Sequence, residues 1–202
     1  MPIHALRALA CAHLDAFARR AIAGGRRRAA VAILVSPWQG AASYVLTRRA
    51  LTLRHNAGNY ALPGGNCDPG EDAVATALRE THEELGVALP RHAALGLLDD
   101  FETLGGHVVT PVVLWSAEEI TLAPSAAEVH AAWRLPLTQL DLPDTPRYVP
   151  HPEGGSPILQ MRANDDWINA PTAAWLYQFR EVVLHGRMTR LDNIGQPPWT
   201  AH

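Results

Sequence analysis

One short stretch constrains this chain more than any other. Residues 73–85 place apolar and small side chains at helical spacing and add three glutamates, Glu80, Glu83 and Glu84. On a helix these glutamates stand at positions i, i+3 and i+4, so their carboxylates share one face. Like charges at that spacing destabilise a helix by roughly 0.2–0.5 kcal/mol per pair. A nearby cation reverses that sign, so the pattern predicts a metal-binding helix face.

Glycines and further charged residues flank this helix at fixed distances. Gly64 and Gly65 lie in a predicted loop over residues 56–70, Glu71 follows six residues after Gly65, and Arg79 follows eight residues after Glu71. Carboxylate oxygens are hard ligands that favour Mg²⁺ or Mn²⁺ over zinc, and the Gly64 carbonyl is a further candidate ligand. The pattern predicts metal-assisted attack of water on a bound diphosphate, with a neighbouring glutamate accepting the proton.

These residues resemble the signature of the Nudix hydrolases, G-x5-E-x7-R-E-U-x-E-E-x-G-U, in which U is a bulky aliphatic residue. Thr81 is the one departure; it keeps the branched shape, so we expect an altered core contact and no lost chemistry. The matching residues are Gly65, Glu71, Arg79, Glu80, Glu83, Glu84, Gly86 and Val87. The resemblance implies an α/β fold, the Nudix-type α/β/α sandwich with a mixed central sheet.

The same resemblance implies roles for individual residues. Glu80, Glu83 and Glu84 would hold the metal together with the Gly64 carbonyl, and Glu80 and Glu83 would act in catalysis. Glu71 and Arg79 would support the loop and orient the acids. Many members of the family carry acids in the loop near residue 128, which makes Glu128 a second candidate for the general base.

The segments on both sides of this stretch resemble the coenzyme A diphosphatase branch of the family. Residues 46–65 follow its LT-x-R … L-R … H-x-G … (F/L)-P-G-G pattern, and residues 98–113 contain Leu-Asp-Asp and Thr-Pro-Val-Val. The branch implies hydrolysis of CoA or acyl-CoA to 3′,5′-ADP and (acyl-)phosphopantetheine. Departures from the branch pattern fall at His55, Asn59 and Gly105. Two alternatives therefore stay open: hydrolysis of ADP-ribose, NADH or nucleoside triphosphates, and a non-catalytic Nudix-fold ligand-binding module.

Positive charge is concentrated just before the glycine loop. Arg48, Arg49 and Arg54 form a cluster whose guanidinium groups suit bidentate pairing with phosphates. We predict Arg48, Arg54 and His55 as contacts to the substrate.

Bulk properties exclude several classes of protein. The 202-residue chain has a formal net charge of −3, which does not indicate a nucleic-acid partner. Two cysteines are too few for a disulfide framework, so we expect a reduced, cytoplasmic protein. The longest apolar runs fall far short of the about 20 residues of a membrane span. The remaining expected partner is a small-molecule nucleotide diphosphate. The N-terminal helix and residues 197–199 are candidates for a homodimer contact or for capping the monomer.

Local patterns predict the order of elements. Helices are predicted at residues 4–23, 73–85, 137–140 and 171–185, and strands at 29–36, 43–48, 60–62, 95–103, 107–116 and 129–135. The proline-rich segment 141–157 is predicted to be a loop or an edge. We expect an N-terminal helical extension over residues 1–28 and a Nudix domain over residues 29–202. A transit peptide has a similar alanine- and arginine-rich composition, but the spacing of the leucines favours an ordinary helix.

Overall fold

A computed structural model describes residues 3–24, 26–53 and 55–201. Among these residues, eight strands form a mixed sheet and three more form a small antiparallel sheet. The strands of the large sheet are β1 Arg27–Trp38, β2 Ala41–Arg49, β3 Tyr60–Ala61, β4 Gly64–Asn66, β5 Ala94–Leu97, β6 Phe101–Glu102, β7 His107–Trp115 and β8 Val129–Pro136. The small sheet contains β9 Arg147–Val149, β10 Ile158–Ala163 and β11 Asp166–Asn169.

Three α-helices accompany the sheets in the described part of the chain. They are α1 Ile3–Ala16, α2 Ala73–Leu85 and α3 Thr172–Gln178, and α3 continues as a π-helix over Phe179–Leu184. Short 3₁₀ turns lie at Arg91–Ala93, Leu137–Asp141 and Pro198–Ala201. None of the helices in residues 3–24, 26–53 and 55–201 has the length and apolar character needed to cross a membrane.

Two apolar layers sandwich the large sheet, whose central strands run in the order β3-β2-β1-β7-β5. Strands β1 and β7 are parallel, whereas β2 and β4 pair antiparallel with β1. Alternate residues of β1 serve the two layers: Ala32 and Leu34 pack on the side of α2, and Ile33 and Val35 pack on the opposite side with α1 and α3. The predicted α/β/α sandwich with a mixed sheet is therefore confirmed.

Helix α2 has the bounds that its sequence predicts, because both ends are fixed locally. The Asp72 side chain caps its first turn by accepting from the Ala75 amide at 2.8 Å. Gly86 ends the helix in the left-handed conformation, with φ of 69°. Thr81 is fully buried and its hydroxyl donates to the Ala77 carbonyl at 2.6 Å, so the extra polar atom is satisfied within the helix.

Helix α1 is shorter than the predicted helix at residues 4–23, and the reason is non-local. Beyond α1 the backbone turns its amides towards two buried carboxylates. The Arg20 amide donates to Asp99 at 2.7 Å, and the Ile22 amide donates to Asp100 at 2.9 Å. Hydrogen bonds to charged acceptors are stronger than neutral ones, so these bonds replace the remaining helical turns.

Other predicted bounds also change. The predicted strand at 95–103 is split into β5 and β6 by the buried segment 98–100. Strand β1 does not stop at residue 36, since Pro37 pairs with Ala42 beside the hairpin turn. Strands β10 and β11, which the sequence analysis does not predict, form a hairpin whose turn residues Asn164 and Asp165 both have positive φ.

Candidate active site

A cavity of about 350 Å³ lies where α2 meets the glycine loop and the end of β2. Its walls carry both carboxylates and guanidinium groups, chiefly those of Arg49, Arg79, Glu80, Glu84 and Glu128, beside the backbone of Gly64. Helix α2 supplies three of these side chains, because residues 80 and 84 share a face and Arg79 is adjacent. The cavity therefore gathers acids that are up to 60 positions apart in sequence (68 to 128).

Arg79 holds the acidic residues of this site in place. Its Nε and Nη2 donate to the two carboxylate oxygens of Glu71 at 2.9 and 3.0 Å, and this pairing holds the pKa of Glu71 at about 2. Its Nη1 donates to Glu80 at 2.9 Å and to Glu83 at 2.8 Å, while Nη2 also reaches the Asn66 carbonyl. Arg79 thus connects the loop to the acidic face of α2.

The two inner glutamates of α2 are crowded and desolvated. Burial, reinforced by the charges of Glu80 and Glu128, raises the pKa of Glu84 to about 8, although Arg49 opposes that rise. Burial also raises the pKa of Glu80, against the opposing effect of Arg79. A carboxylate that is costly to ionise in this way is one that a nearby cation would stabilise.

The arrangement fits a cation held by few protein ligands. Among the described residues, no three His, Cys, Asp or Glu side chains already converge around one point that could enclose a metal. Mg²⁺ usually takes one or two carboxylates and completes its shell with water and substrate phosphates. Glu80 and Glu84 offer hard oxygens on one cavity wall, whereas Glu83 is half exposed and turned to Arg79. The donor set therefore suits Mg²⁺ or Mn²⁺, which keep water and phosphate ligands, and does not form a closed cage around a metal ion.

Comparison with known families identifies the chain. Residues 26–152, more than half of its length, match the model of the NUDIX domain. The chain belongs to the Nudix family. An uncharacterized Nudix hydrolase NudL of Photorhabdus laumondii is 40% identical over 96 residues, which cover 47% of this chain and 51% of that protein. The mitochondrial coenzyme A diphosphatase NUDT8 of Homo sapiens is 37% identical over 134 residues, which cover 60% of this chain and 56% of that protein.

The likeness extends over only part of these relatives, since the chain spans about half the length of the curated relatives it matches. A solved Nudix hydrolase of Alicyclobacillus acidocaldarius superposes with a TM-score of 0.51 at 20% identity, covering 86% of this chain and 100% of that one. At that identity the likeness supports the Nudix fold alone.

Close packing explains glycine at two positions of β4. A Cβ atom on Gly64 would lie 2.7 Å from Cα of Val31 in strand β1, too close for any side chain. A Cβ atom on Gly65 would lie 2.6 Å from the carboxylate carbon of Glu80. Glycine at these positions lets β4 pair with β1 and lets Glu80 reach the cavity.

The predicted substrate contacts are placed differently from the acids. Arg48 is exposed and its Nε donates to the Gly58 carbonyl at 2.8 Å, so it ties a loop together outside the cavity. His55 is exposed and does not line the cavity. Arg54 lies outside the described residues. The structure thus brings the predicted acids together but brings neither Arg48 nor His55 to them.

Arg49 lines the cavity although the sequence analysis names it only as part of the arginine cluster. The phase of β2 separates it from Arg48, but the sequence hides that phase because both faces of the strand are buried. Val45 packs on the α2 side and Leu46 on the opposite side. Arg49 is in phase with Val45, whereas Arg48 is in phase with Leu46, so only Arg49 is directed towards α2. Leu53 and Asp68 also line the cavity, and no pattern in the sequence singles them out.

Proposed function

We propose that this Nudix protein hydrolyses the diphosphate linkage of a nucleotide-containing small molecule with the help of Mg²⁺ or Mn²⁺. The observation that carries the proposal is that Glu80, Glu84 and Glu128 all line one cavity beside Gly64. Such crowding costs free energy in the protein alone, and a divalent cation offsets it. A ligand-binding module without turnover does not need a third acid at this position.

The proposed reaction uses the residues as follows. A bound Mg²⁺ or Mn²⁺ would supply charge that neutralises phosphate oxygens and acidifies a water molecule. Glu80 and Glu84, with Glu83 and the Gly64 carbonyl, are the proposed ligands, and Glu128 is the proposed general base. The water oxygen bonds to one phosphorus and its proton passes to Glu128. The bridging P–O bond breaks, and its electron pair stays on the oxygen of the departing phosphate, which yields two monophosphates.

For the substrate we propose CoA or acyl-CoA, with 3′,5′-ADP and (acyl-)phosphopantetheine as products. Support comes from the flanking patterns and from the similarity to a protein named coenzyme A diphosphatase. Other Nudix substrates, such as ADP-ribose, NADH and nucleoside triphosphates, are the alternative. One observation supports that alternative: Arg48 and His55, two of the predicted contacts to the substrate, stand outside the cavity.

A substrate panel tests both levels of the proposal. The full chain is incubated with Mn²⁺ or Mg²⁺ and, separately, CoA, ADP-ribose, NADH and ATP, and the products are separated by chromatography. Release of 3′,5′-ADP from CoA would support the complete proposal. Cleavage of ADP-ribose with CoA left intact would overturn the CoA assignment alone. No cleavage of any compound would overturn the hydrolase assignment.

Glu128→Gln should lower kcat by about 10²–10⁴-fold on the best panel substrate, the usual contribution of a general base. The substitution keeps the shape of the side chain but removes its negative charge and its ability to accept a proton. The pH–rate profile provides the specific readout, because the acidic limb due to the base should disappear. Glu119→Gln, at an exposed position outside the cavity, is the matched control. An unchanged limb in Glu128→Gln would assign the base elsewhere.

Gly65→Ala should lower kcat by about 10²-fold, because the added methyl group displaces the Glu80 carboxylate and a 1 Å misplacement can cost that much. Gly105→Ala is the control, since the nearest atom to a Cβ there is 3.7 Å away in His107. Circular dichroism and kcat are measured for both variants. A fully active Gly65→Ala would show that the position of Glu80 does not matter for turnover.

Three further expectations stay predictions: the cytoplasmic location, the homodimer, and the division into an extension over residues 1–28 and a Nudix domain over residues 29–202. A mitochondrial location is the alternative to the cytoplasmic one, because the similar protein NUDT8 is named as mitochondrial. Analytical ultracentrifugation of the full chain would test the second.

A further inference from the structure

An irregularity in β8 lies opposite the arginine at the end of β2. Strand β8 pairs Ala131 with Arg48 but Val129 with Arg49, so His130 is an extra residue in β8. A bulge of this kind bends its own strand, and Glu128 follows directly beyond it. The Ala50 amide then donates to the Glu128 carbonyl at 2.8 Å, which fixes the Arg49 segment beside Glu128.

A second contact fixes the same segment from the opposite edge. The Arg49 amide donates to the Asn59 carbonyl at 2.9 Å, and the Arg49 carbonyl accepts from the Gly58 amide at 3.2 Å. The backbone of Arg49 is therefore held by strand and loop together. Preorganisation of this kind reduces the entropy that a binding side chain loses when its ligand arrives.

Arg79 and Arg49 line the same cavity but differ in what they bind. Arg79 is fully engaged, with Glu71, Glu80, Glu83 and the Asn66 carbonyl as acceptors. Arg49 has no ion pair within 4.0 Å among the described residues, and its Nε is buried without a hydrogen-bond partner. A buried donor left unsatisfied costs about 1–3 kcal/mol. Because Arg49 also lines the cavity, a ligand bound there could supply the missing acceptor.

We propose that Arg49 binds phosphate oxygens of the substrate's diphosphate and positions it for attack, an inference that rests on the proposed function. The cavity is otherwise dominated by carboxylates, which repel a diphosphate, and its other guanidinium is already committed. A planar guanidinium presents parallel N–H groups that match two phosphate oxygens. Arg49 stands beside the acids. It therefore meets the reacting diphosphate and not the nucleobase or the distal end of the substrate.

Three substitutions test this assignment: Arg49→Met, Arg49→Lys and Arg48→Met, with exposed Arg27→Met as the control. The first readout is binding of methylenediphosphonate, a non-hydrolysable diphosphate, by calorimetry in the presence of Mn²⁺. Arg49→Met should weaken binding by about 10–100-fold, the range expected for a charge-assisted hydrogen-bonded contact. Arg49→Lys should recover part of it, and Arg48→Met should lose less than Arg49→Met.

The second readout separates ligand binding from a structural role. Removing Arg49 takes a cation away from the proposed metal ligands, so Mn²⁺ affinity measured without diphosphate should not fall. Loss of Mn²⁺ affinity and of thermal stability in both Arg49 variants would overturn the proposal and indicate a structural residue. Binding by Arg49→Met equal to that of the wild type, or a larger loss in Arg48→Met, would also overturn it.

The two proposals fail differently. A wild-type protein that cleaves nothing on the panel, yet binds methylenediphosphonate through Arg49, would refute the hydrolase function and support Arg49 as a diphosphate-binding residue. If the wild type cleaves a panel substrate and Arg49→Met cleaves it with the same KM and kcat, the hydrolase function is supported and this inference is refuted.

Discussion

Glu84→Gln should lower kcat by about 1000-fold, although the side chain keeps its shape. A bound metal contributes several kcal/mol to stabilising the charge of the transition state, and each 1.36 kcal/mol is tenfold in rate. Glu84 lines the cavity and is only 7% exposed, so the fold holds its carboxylate at the proposed metal site. Steady-state kinetics over a range of Mn²⁺ concentrations measures the effect, and excess Mn²⁺ should restore little of it.

The same substitution, which lowers kcat, should raise the stability of the protein when metal is absent. The pKa of Glu84 is raised to about 8 by burial and neighbouring acids. The folded state therefore binds a proton more tightly than the unfolded state, and the wild type loses stability as pH rises from about 4.5 to about 8. Glutamine does not ionise. In EDTA at pH 8, Glu84→Gln should unfold at a higher temperature than the wild type.

A control from elsewhere in the fold separates these effects. Glu181 is also buried, but Arg187 donates to both of its oxygens at 3.0 Å, so its charge is paired. Glu181→Gln should lose stability and keep kcat, the reverse of Glu84→Gln. Equal loss of stability in both variants would mean that Glu84 is a structural acid, and the metal site would then need other ligands.

The acidic helix could be predicted in full because its determinants are local. Asp72 caps its start, Gly86 ends it, and the spacing of Glu80 and Glu84 fixes their common face. Glu128 is different: its position in the cavity depends on the bulge opposite Arg49, a feature of strand pairing with no signature in the sequence. The family resemblance therefore names Glu128 as a candidate base, but only the fold shows that it lies beside the ligands of α2.

The substrate contacts show the same limit more sharply. Arg48 and Arg49 are chemically identical neighbours, and only the phase of β2 decides which one meets α2. Residues 43–47 of this strand are buried on both faces of the sheet, so their apolar pattern does not reveal which face each residue occupies. The hairpin of β10 and β11 is not predicted either. Its strands follow a proline-rich segment, and such a segment predicts irregular structure.

The Leu-Asp-Asp segment contributed to the resemblance with the CoA branch, yet its aspartates lie outside the cavity and inside the fold. Asp99 pairs with Arg190 at 2.8 Å and accepts from Gln178 at 2.9 Å. Asp100 pairs with Arg19 and with Arg28. These contacts join the segment after α1 to the sheet and to the C-terminal region, which local patterns cannot anticipate.

Asp100→Asn should therefore destabilise the protein by about 3 kcal/mol, near the low end for breaking a buried ion pair because both arginines are partly exposed. The amide also places N–H groups against the Ile22 amide, an existing donor to this carboxylate. For a chain of this size the loss corresponds to roughly 6–12 °C in Tm. Asp192→Asn, in an exposed pair with Arg20, should change stability by less than about 0.5 kcal/mol.

The pH dependence gives an independent check on Asp100. Burial alone raises the pKa of this carboxyl, but hydrogen bonds from Thr110, the Ile22 amide and Arg19 outweigh burial and lower it. A lowered pKa means that the stabilisation is present above the ordinary pKa of aspartate and is lost as pH falls through the folded value. The stability difference between the wild type and Asp100→Asn should therefore shrink in acid. Because Asp100 does not line the cavity, kcat per folded molecule should be unchanged. Normal stability with impaired turnover of CoA would instead indicate that the Leu-Asp-Asp segment contributes to substrate recognition.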